Sequence, residues 1–291
     1  MYETNLNKTF FWTMKDVMDK GSTVEARGTE QKELTFYKRI IGDPTDLLIS
    51  YPDRKFNKQY AITEWLWYLS QNRSTQNIGK MAKIWDIIKD DNGECESNYG
   101  SYMFPICLTY PSQWEWVVNE LNNDTDSRRA TIAINQPHHK NWDQNPKDIP
   151  CTQYIQFFIR DNILNMGVYM RSNDVIFGFC NDVFTFGLFH QLMYNDLKQT
   201  MPDLELGEYH HNAGSMHIYD RHYKMVNKII KNRPSDYYKQ ELPKIKLHSH
   251  ITSSYILKKE LYLPSTPLSK DEIKEQTIKL SKMLLEEVSN G

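Results

Sequence analysis

The sequence predicts an α/β (α+β) fold built around one core, and three observations carry that prediction. Residues 151–171, CTQYIQFFIRDNILNMGVYMR, are rich in aromatic and aliphatic side chains on both sides of Asp161-Asn162, as expected of two antiparallel strands joined by a tight turn. Ile62–Asn72, ITEWLWYLSQN, is too apolar for an exposed helix and predicts a buried one that starts near Thr63 with Glu64 at its head. No repeat with a period of about 20 to 50 residues and no low-complexity stretch interrupts the chain, which excludes solenoids and propellers.

The remaining elements follow in order. Residues 85–130 alternate short apolar runs with turn signals, and Gln113–Leu121 reads as a short helix. If Asp161 and Asn162 form the hairpin loop, Arg160 faces Ile163, paired positions sum to 323, and Cys151 falls opposite Ser172 and beside Arg171. Phe184, Leu188, Phe189, Leu192 and Met193 recur at helical spacing, with Asp182 at the head of that helix. Ser269 with Glu272 is a capping-box signature, and Ile273, Thr277, Leu280, Leu284 and Val288 then form an amphipathic stripe in a C-terminal lid or packing element.

Composition narrows the function classes. The 291 residues carry 35 Lys+Arg against 37 Asp+Glu, a net charge of −2, so a nucleic-acid polymer is not the expected partner and an anionic ligand needs a local cluster of arginines. No apolar run approaches the roughly 20 residues of a membrane span, and MYETNLNKTFFW lacks the basic start and cleavage site of a signal peptide, so the expectation is a cytoplasmic protein without a membrane partner. Cys95, Cys107, Cys151 and Cys180 show no C-x-x-C spacing, which predicts free thiols rather than a disulfide framework or a zinc site.

Among residues suited to chemistry, Cys151 comes first. A guanidinium beside a thiol favours the thiolate, and the hairpin register supplies Arg171; the competing reading is a small buried hydrophobe. Arg27, Arg128, Arg129 and Arg171, the last followed by Ser172, suit phosphate oxygens or are solvated surface residues. Glu64, at the head of an apolar helix, is a candidate proton shuttle with a raised pKa, whereas Asp182 is equally a helix N-cap. His217 and Tyr219 point to one side of a strand and offer two polar tips to one ligand or to the core. His138-His139 and His210-His211 have no acid or cysteine at metal-ligand spacing, so no metal is expected.

IPCTQYIQF, then MRSNDVIFGFCND, then GSMHIYDRHY, in that order, resemble the thymidylate synthase family, and in particular its deoxycytidylate 5-hydroxymethylase branch from bacteriophages. The resemblance covers about residues 20–247 and implies a three-layer fold whose large mixed sheet forms a dimer interface, with catalytic domain 1–247 and a C-terminal extension 248–291. It further implies that Cys151 adds to C6 of the pyrimidine, that Glu64 is the catalytic glutamate, and that Gln156 lies beside the nucleophile. Arg171 and Ser172 match a phosphate-binding pair, Arg128 and Arg129 the arginines that reach across the dimer to the neighbour's phosphate, and Arg27 the N-terminal phosphate-loop arginine. Asn173 joins the substrate contacts. Trp85, Tyr99, Asp174 and Gly178 fall where the folate co-substrate, 5,10-methylenetetrahydrofolate, is held or water is organised, and His217 and Tyr219 match the pair on the sugar 3′-hydroxyl.

The departures from the family pattern bear on substrate and product. Enzymes that methylate deoxyuridylate have asparagine where Asp182 stands; uracil shows an N3–H donor beside an O4 acceptor, which a carboxamide satisfies, whereas cytosine shows an N4 amino donor, which a carboxylate accepts. Such a carboxylate also stabilises a proton on N3 and makes C6 easier to attack. Thr152 stands where those enzymes usually have histidine and Ser215 where they usually have aspartate. The implied reaction is transfer of a one-carbon unit to C5 of dCMP with hydration, a hydroxymethyltransferase. The alternatives are a methyl-forming enzyme that acts on dCMP or dUMP and releases dihydrofolate, and an inactive nucleotide-binding homologue.

Overall fold

The computed structural model describes residues 5–26, 28–105, 111–140, 147–232 and 240–289 and the backbone of 2–3; Arg27 and Cys107 lie outside the described residues. In chain order the strands are β1 Tyr2–Glu3, β2 Ser22–Ala26, β3 Thr29–Ile41, β4 Thr131–Ala133, β5 Thr152–Arg160, β6 Ile163–Met170, β7 Asn173–Asp174, β8 Glu205–Tyr219, β9 Lys244–Leu247 and β10 Leu285–Val288. The helices are α1 Leu6–Lys20, α2 Lys58–Leu69, α3 Ile78–Met81, α4 Ile84–Ile88, α5 Gly100–Met103, α6 Gln113–Asn123, α7 Gly178–Lys198, α8 Asp220–Asn232, α9 Ser253–Lys259 and α10 Lys270–Leu284.

The main sheet runs β1-β3-β8-β6-β5-β4, with β2 paired to β3 and β7 to β8. β8 is antiparallel to β3 and parallel to β6, so the sheet is mixed, as the sequence predicts. Burial alternates along β6 as the pleat requires: Leu164, Met166, Val168 and Met170 point inward, while Ile163, Asn165, Gly167 and Tyr169 stay partly open on the other face. α1 and α7 lie on the inward face, and α7 in turn carries α2 and α6, which makes three layers. Apolar on nearly every side, α7 buries fifteen of its 21 residues, among them Phe184, Phe186 and Phe189. Such a helix belongs in the middle of a protein.

Helix starts are where sequence and structure part most. α2 begins at Lys58 rather than near Thr63, because Asn57 caps it by accepting the Tyr60 N–H at 3.0 Å. The apolar run marks the buried stretch, whereas the cap sets the beginning. Glu64 therefore lies mid-helix. α7 likewise starts at Gly178, which places Asp182 beyond the first turn and not at an N-cap position. α6 covers the predicted Gln113–Leu121 and runs on to Asn123.

The C-terminal stripe packs as expected up to Leu284. Ser269 and Glu272 form the capping box, and Ile273, Thr277, Leu280 and Leu284 are buried. Val288 leaves the helix, since the chain turns into β10 and pairs antiparallel with β9, Leu285 opposite Leu247. The Thr277 and Thr63 hydroxyls meet at 2.9 Å in the α10–α2 contact, and the Leu263 N–H donates to Leu66 O at 3.1 Å. The tail thus braces the helix that carries Glu64. Truncating Leu284 to Ala is expected to cost about 2 to 5 kcal/mol. Urea unfolding should show tail and body melting in one transition at lower urea; an unchanged midpoint would refute this packing role.

Candidate active site

Glu64 sits on an apolar, largely buried helix poorly able to solvate it, and only 6% of it is exposed. Its neighbours one turn either way are tyrosines, which helical spacing brings to the same face. The Tyr60 hydroxyl donates to Glu64 Oε1 at 3.0 Å and the Tyr68 hydroxyl approaches it at 3.4 Å. Trp85 Nε1–H donates to the Tyr60 oxygen at 3.0 Å, extending the chain to Trp85–Tyr60–Glu64. Burial, followed by the charge of Asp182, pushes the Glu64 carboxyl up to about 8 against the pull of the two hydroxyls.

Cys151 and Arg171 meet at the open end of the β5–β6 hairpin. Asp161 and Asn162 both take positive φ, 51° and 61°, the type I′ turn that those residue types tolerate. Arg160 pairs with Ile163 and the predicted register holds as far as Tyr154 and Tyr169; an irregularity between Thr152 and Tyr154 then shifts it by one. Cys151 therefore stands across from Arg171, whose N–H donates to Cys151 O at 2.8 Å, and not across from Ser172. A bulge leaves no mark on apolar periodicity. The Arg171 guanidinium donates to Ile149 O at 2.8 Å and Pro150 O at 3.3 Å, clamping the segment that leads into the thiol.

Asp182, on α7, lies within electrostatic reach of Glu64 and Tyr99. Asn173 Nδ2 donates to Asp182 Oδ2 at 2.6 Å, Asn173 Oδ1 meets His211 Nε2 at 3.0 Å, and His211 Nδ1 meets the Tyr209 hydroxyl at 2.7 Å. Burial pushes the Asp182 carboxyl up to about 7, with Asp174 adding to the rise and Asn173 opposing it. Asp174 accepts the Phe177 N–H at 2.8 Å and the Ile176 N–H at 3.2 Å and so shapes the turn that leads into α7, whose own N-cap residue, Phe177, makes no side-chain cap. At Gly178 a Cβ would lie 2.9 Å from Asn173 Nδ2 and 3.5 Å from Asp182 Oδ2, so this glycine leaves room for their contact. The buried Tyr99 hydroxyl, held high by desolvation, feels the charges of both Asp182 and Cys151. Glu64, Asp182, Tyr99 and Cys151 thus share one electrostatic neighbourhood.

On β8, the Ser215 hydroxyl donates to Glu33 and so turns a lone pair toward His217 Nδ1, 3.3 Å away. That leaves Nδ1 of the imidazole carrying the proton, and Nε2, buried and with no partner among the described residues, as an acceptor. Tyr219 packs edge-on against His217, with ring centroids 4.9 Å apart. Gln156 sits on the open face of the sheet and donates to Arg128 O at 3.0 Å. Arg128 and Arg129 are exposed, Arg129 paired with Glu120 at 2.8 Å. Ser172 follows Arg171 and is half-buried. Trp85 and Tyr99 are buried; Tyr99 stacks on Tyr68 with centroids 4.9 Å apart.

Sequence spacing offered no acid to join the histidine pairs, but the fold brings Glu96 to His138 and His139, with donor atoms within 4.8 Å. These groups serve one another. His139 Nδ1 accepts the Gln136 N–H at 2.9 Å, so its Nε2 keeps a proton directed at Tyr102 and Glu96, and Arg73 pairs with Glu96. Tyr60, Tyr68, Tyr209 and His211 escaped the sequence reading as members of the site. Tyr60 and Tyr68 had a signal, their spacing of four residues from Glu64; the His211 contact spans separate strands and left none.

Known proteins resemble this chain in sequence and in fold. The family model described as thymidylate synthase matches residues 8–261, beyond both ends of the stretch 20–247. The deoxycytidylate 5-hydroxymethyltransferases of Enterobacteria phages T6, T4 and T2 are each 33% identical over 177 residues, 59% of this chain and 71% of theirs. The thermostable thymidylate synthase A from Bacillus subtilis superposes with a TM-score of 0.65 at 21% identity, covering 85% of this chain and 90% of that one, which establishes the shared fold. Among the described residues no helix is long and apolar enough to cross a membrane. With the family model spanning residues 8–261, most of its length, this chain belongs to the thymidylate synthase family.

Proposed function

We propose that this enzyme transfers a one-carbon unit from 5,10-methylenetetrahydrofolate to C5 of dCMP with hydration, releasing 5-hydroxymethyl-dCMP and tetrahydrofolate. The observation that carries the reading is Asp182, a carboxyl where deoxyuridylate methylases have asparagine, facing the pocket of Cys151 and Glu64. The 33% identity to phage enzymes named for this reaction supports it.

Cys151 adds to C6 of the base. Asp182, whose raised pKa leaves it holding a proton near neutrality, places that proton on N3 and accepts from the N4 amino group, so that electron density drawn toward N3 makes C6 electrophilic. C5 becomes the carbon nucleophile. The folate, when bound, supplies the one-carbon unit. Glu64, oriented by Tyr60 and Tyr68, receives the C5 proton through water as the bond between the one-carbon unit and the folate nitrogen breaks and tetrahydrofolate leaves. Water then adds to the exocyclic methylene left on C5, and the C6–S bond breaks to release the thiolate.

Binding groups fit the same pose. Arg171 and Ser172 hold the phosphate with Arg27, and His217 Nε2 accepts the sugar 3′-hydroxyl beside Tyr219. For the folate, Trp85 and Tyr99 offer aromatic wall, and Ile84 and Ile87, 51% and 60% exposed on α4, an apolar ledge beside Trp85. Asp174 and Gly178 shape the turn into α7 at that end of the pocket. No metal takes part. A second copy completes the site: the open sheet face carries the stacked Tyr154–Tyr169 pair, 4.3 Å apart, and Phe36, 93% exposed, and pairing there delivers Arg128 and Arg129 to the neighbour's phosphate.

Incubation with methylenetetrahydrofolate and dCMP should give a product with the mass of 5-hydroxymethyl-dCMP and no dihydrofolate; a methylated product with dihydrofolate would overturn the reading. For dCMP, kcat/KM should be bell-shaped. Below about 7 both carboxyls are protonated and Glu64 cannot accept a proton; above about 8 neither carries the proton that N3 needs. Asp182→Asn should remove the alkaline limb and turn preference toward dUMP, whereas an unchanged profile would refute its role. Mixing the inactive variants Cys151→Ala and Arg128→Ala/Arg129→Ala should restore about a quarter of wild-type activity, because half the dimers are hybrids with one intact site in two. No recovery after subunit exchange would argue against arginines acting in trans.

A further inference from the structure

As the side chains lie, the chain Tyr209–His211–Asn173–Asp182 runs in one direction. Asn173 turns its amide nitrogen to Asp182 Oδ2, so its oxygen is what meets His211, and His211 Nε2 must carry the proton. Burial pushes the His211 imidazole down to about 3, so the ring is neutral and Nδ1 has a lone pair for the Tyr209 hydroxyl. His211, Tyr209 and Asn173 are buried, none more than 3% exposed, so no water competes for these bonds. Gly178 completes the arrangement from the other side by leaving Asn173 Nδ2 its space.

A carboxyl with one proton is ambiguous toward a pyrimidine. Its carbonyl oxygen accepts and its hydroxyl donates, and the order along the base edge decides the partner. Carbonyl toward N4–H and hydroxyl toward N3 suits cytosine; the same groups with their roles shifted, carbonyl toward N3–H and hydroxyl toward O4, suit uracil. An N–H aimed permanently at Oδ2 makes Oδ2 the acceptor and confines the proton to Oδ1. We propose that His211 is a positioning residue for base selection: by locking the orientation of the Asn173 amide, it fixes which Asp182 oxygen carries the proton and so holds the site to cytosine. This inference rests on the reading of Asp182 as the cytosine-recognising group.

Without the His211 N–H the amide can rotate, present its oxygen to Asp182 Oδ2 and draw the proton there, reversing the order. The test compares kcat/KM for dCMP and dUMP, read as tritium release from C5 in the presence of methylenetetrahydrofolate, for wild type, Asp182→Asn, His211→Phe and His211→Gln. His211→Phe should lower the dCMP/dUMP ratio at least tenfold, through a gain on dUMP as well as a loss on dCMP. His211→Gln retains an N–H donor and should restore most of the ratio. A merely structural role would lower both substrates together and leave the ratio in place, and that result would overturn the proposal. If His211→Phe does not fold, Gly178→Ala displaces the same amide from the opposite side, and its ratio decides in the same way. A wild type with no preference for dCMP, or an Asp182→Asn variant that keeps it, would instead sink the reading of Asp182 itself.

Discussion

Glu64 and Asp182 are carboxyl groups withdrawn from water and within range of each other's charge, and much of the local architecture answers to that condition. Taking a carboxylate from water into an apolar interior costs several kcal/mol unless hydrogen bonds or a proton offset it. Both remedies are present. Each pKa rises, to about 8 and about 7, so near neutrality a proton is retained where a charge would be most costly. Each carboxyl also has neutral donors rather than cations: tyrosines for Glu64, an amide for Asp182. A lysine or arginine in either position would hold the group ionised and lower its pKa instead.

The aromatic density that made Ile62–Asn72 conspicuous follows from the same condition. Trp65, Leu66 and Leu69 fill the core, while Tyr60, Tyr68 and Trp85 supply polar tips on apolar bodies, so the helix stays dry and still orients its acid. Burial of α7 plays the matching part opposite. Gly187 shows how closely it is packed: a Cβ there would fall 2.4 Å from Leu47 and 3.0 Å from the Pro44 carbonyl.

How much of this was legible depends on whether local pattern or distant contact sets the feature. The hairpin was readable because Asp-Asn specifies its own turn and the strands then count outward from it; the count failed by one only at the bulge beside Cys151. The Ser269 cap was readable for the same local reason. Helix α2 was placed but started late, since Asn57 stands apart from the apolar run it caps. Asp182 looked like a cap because Asp is common there, and only the structure shows the helix beginning four residues earlier, at Gly178. His211 offered no signal at all: its partner Asn173 lies 38 residues away, on a strand that pairs with β8 only after the chain has folded.

Overall neutrality also acquires a physical reading. Recognition of a small anion depends on where a few guanidinium groups converge, not on the total of −2. Here Arg171 pairs through its backbone with Cys151, and among the described residues its guanidinium donates to two carbonyls and meets no carboxylate. Arg39 is the contrast: it is buried against Asp16, and its charge is spent within the fold. The distinction between a structural and a ligand-directed arginine therefore lies in what the guanidinium touches. Neutral acceptors fix its position and leave its field available to an incoming phosphate, whereas an acid fixes position and cancels the field together.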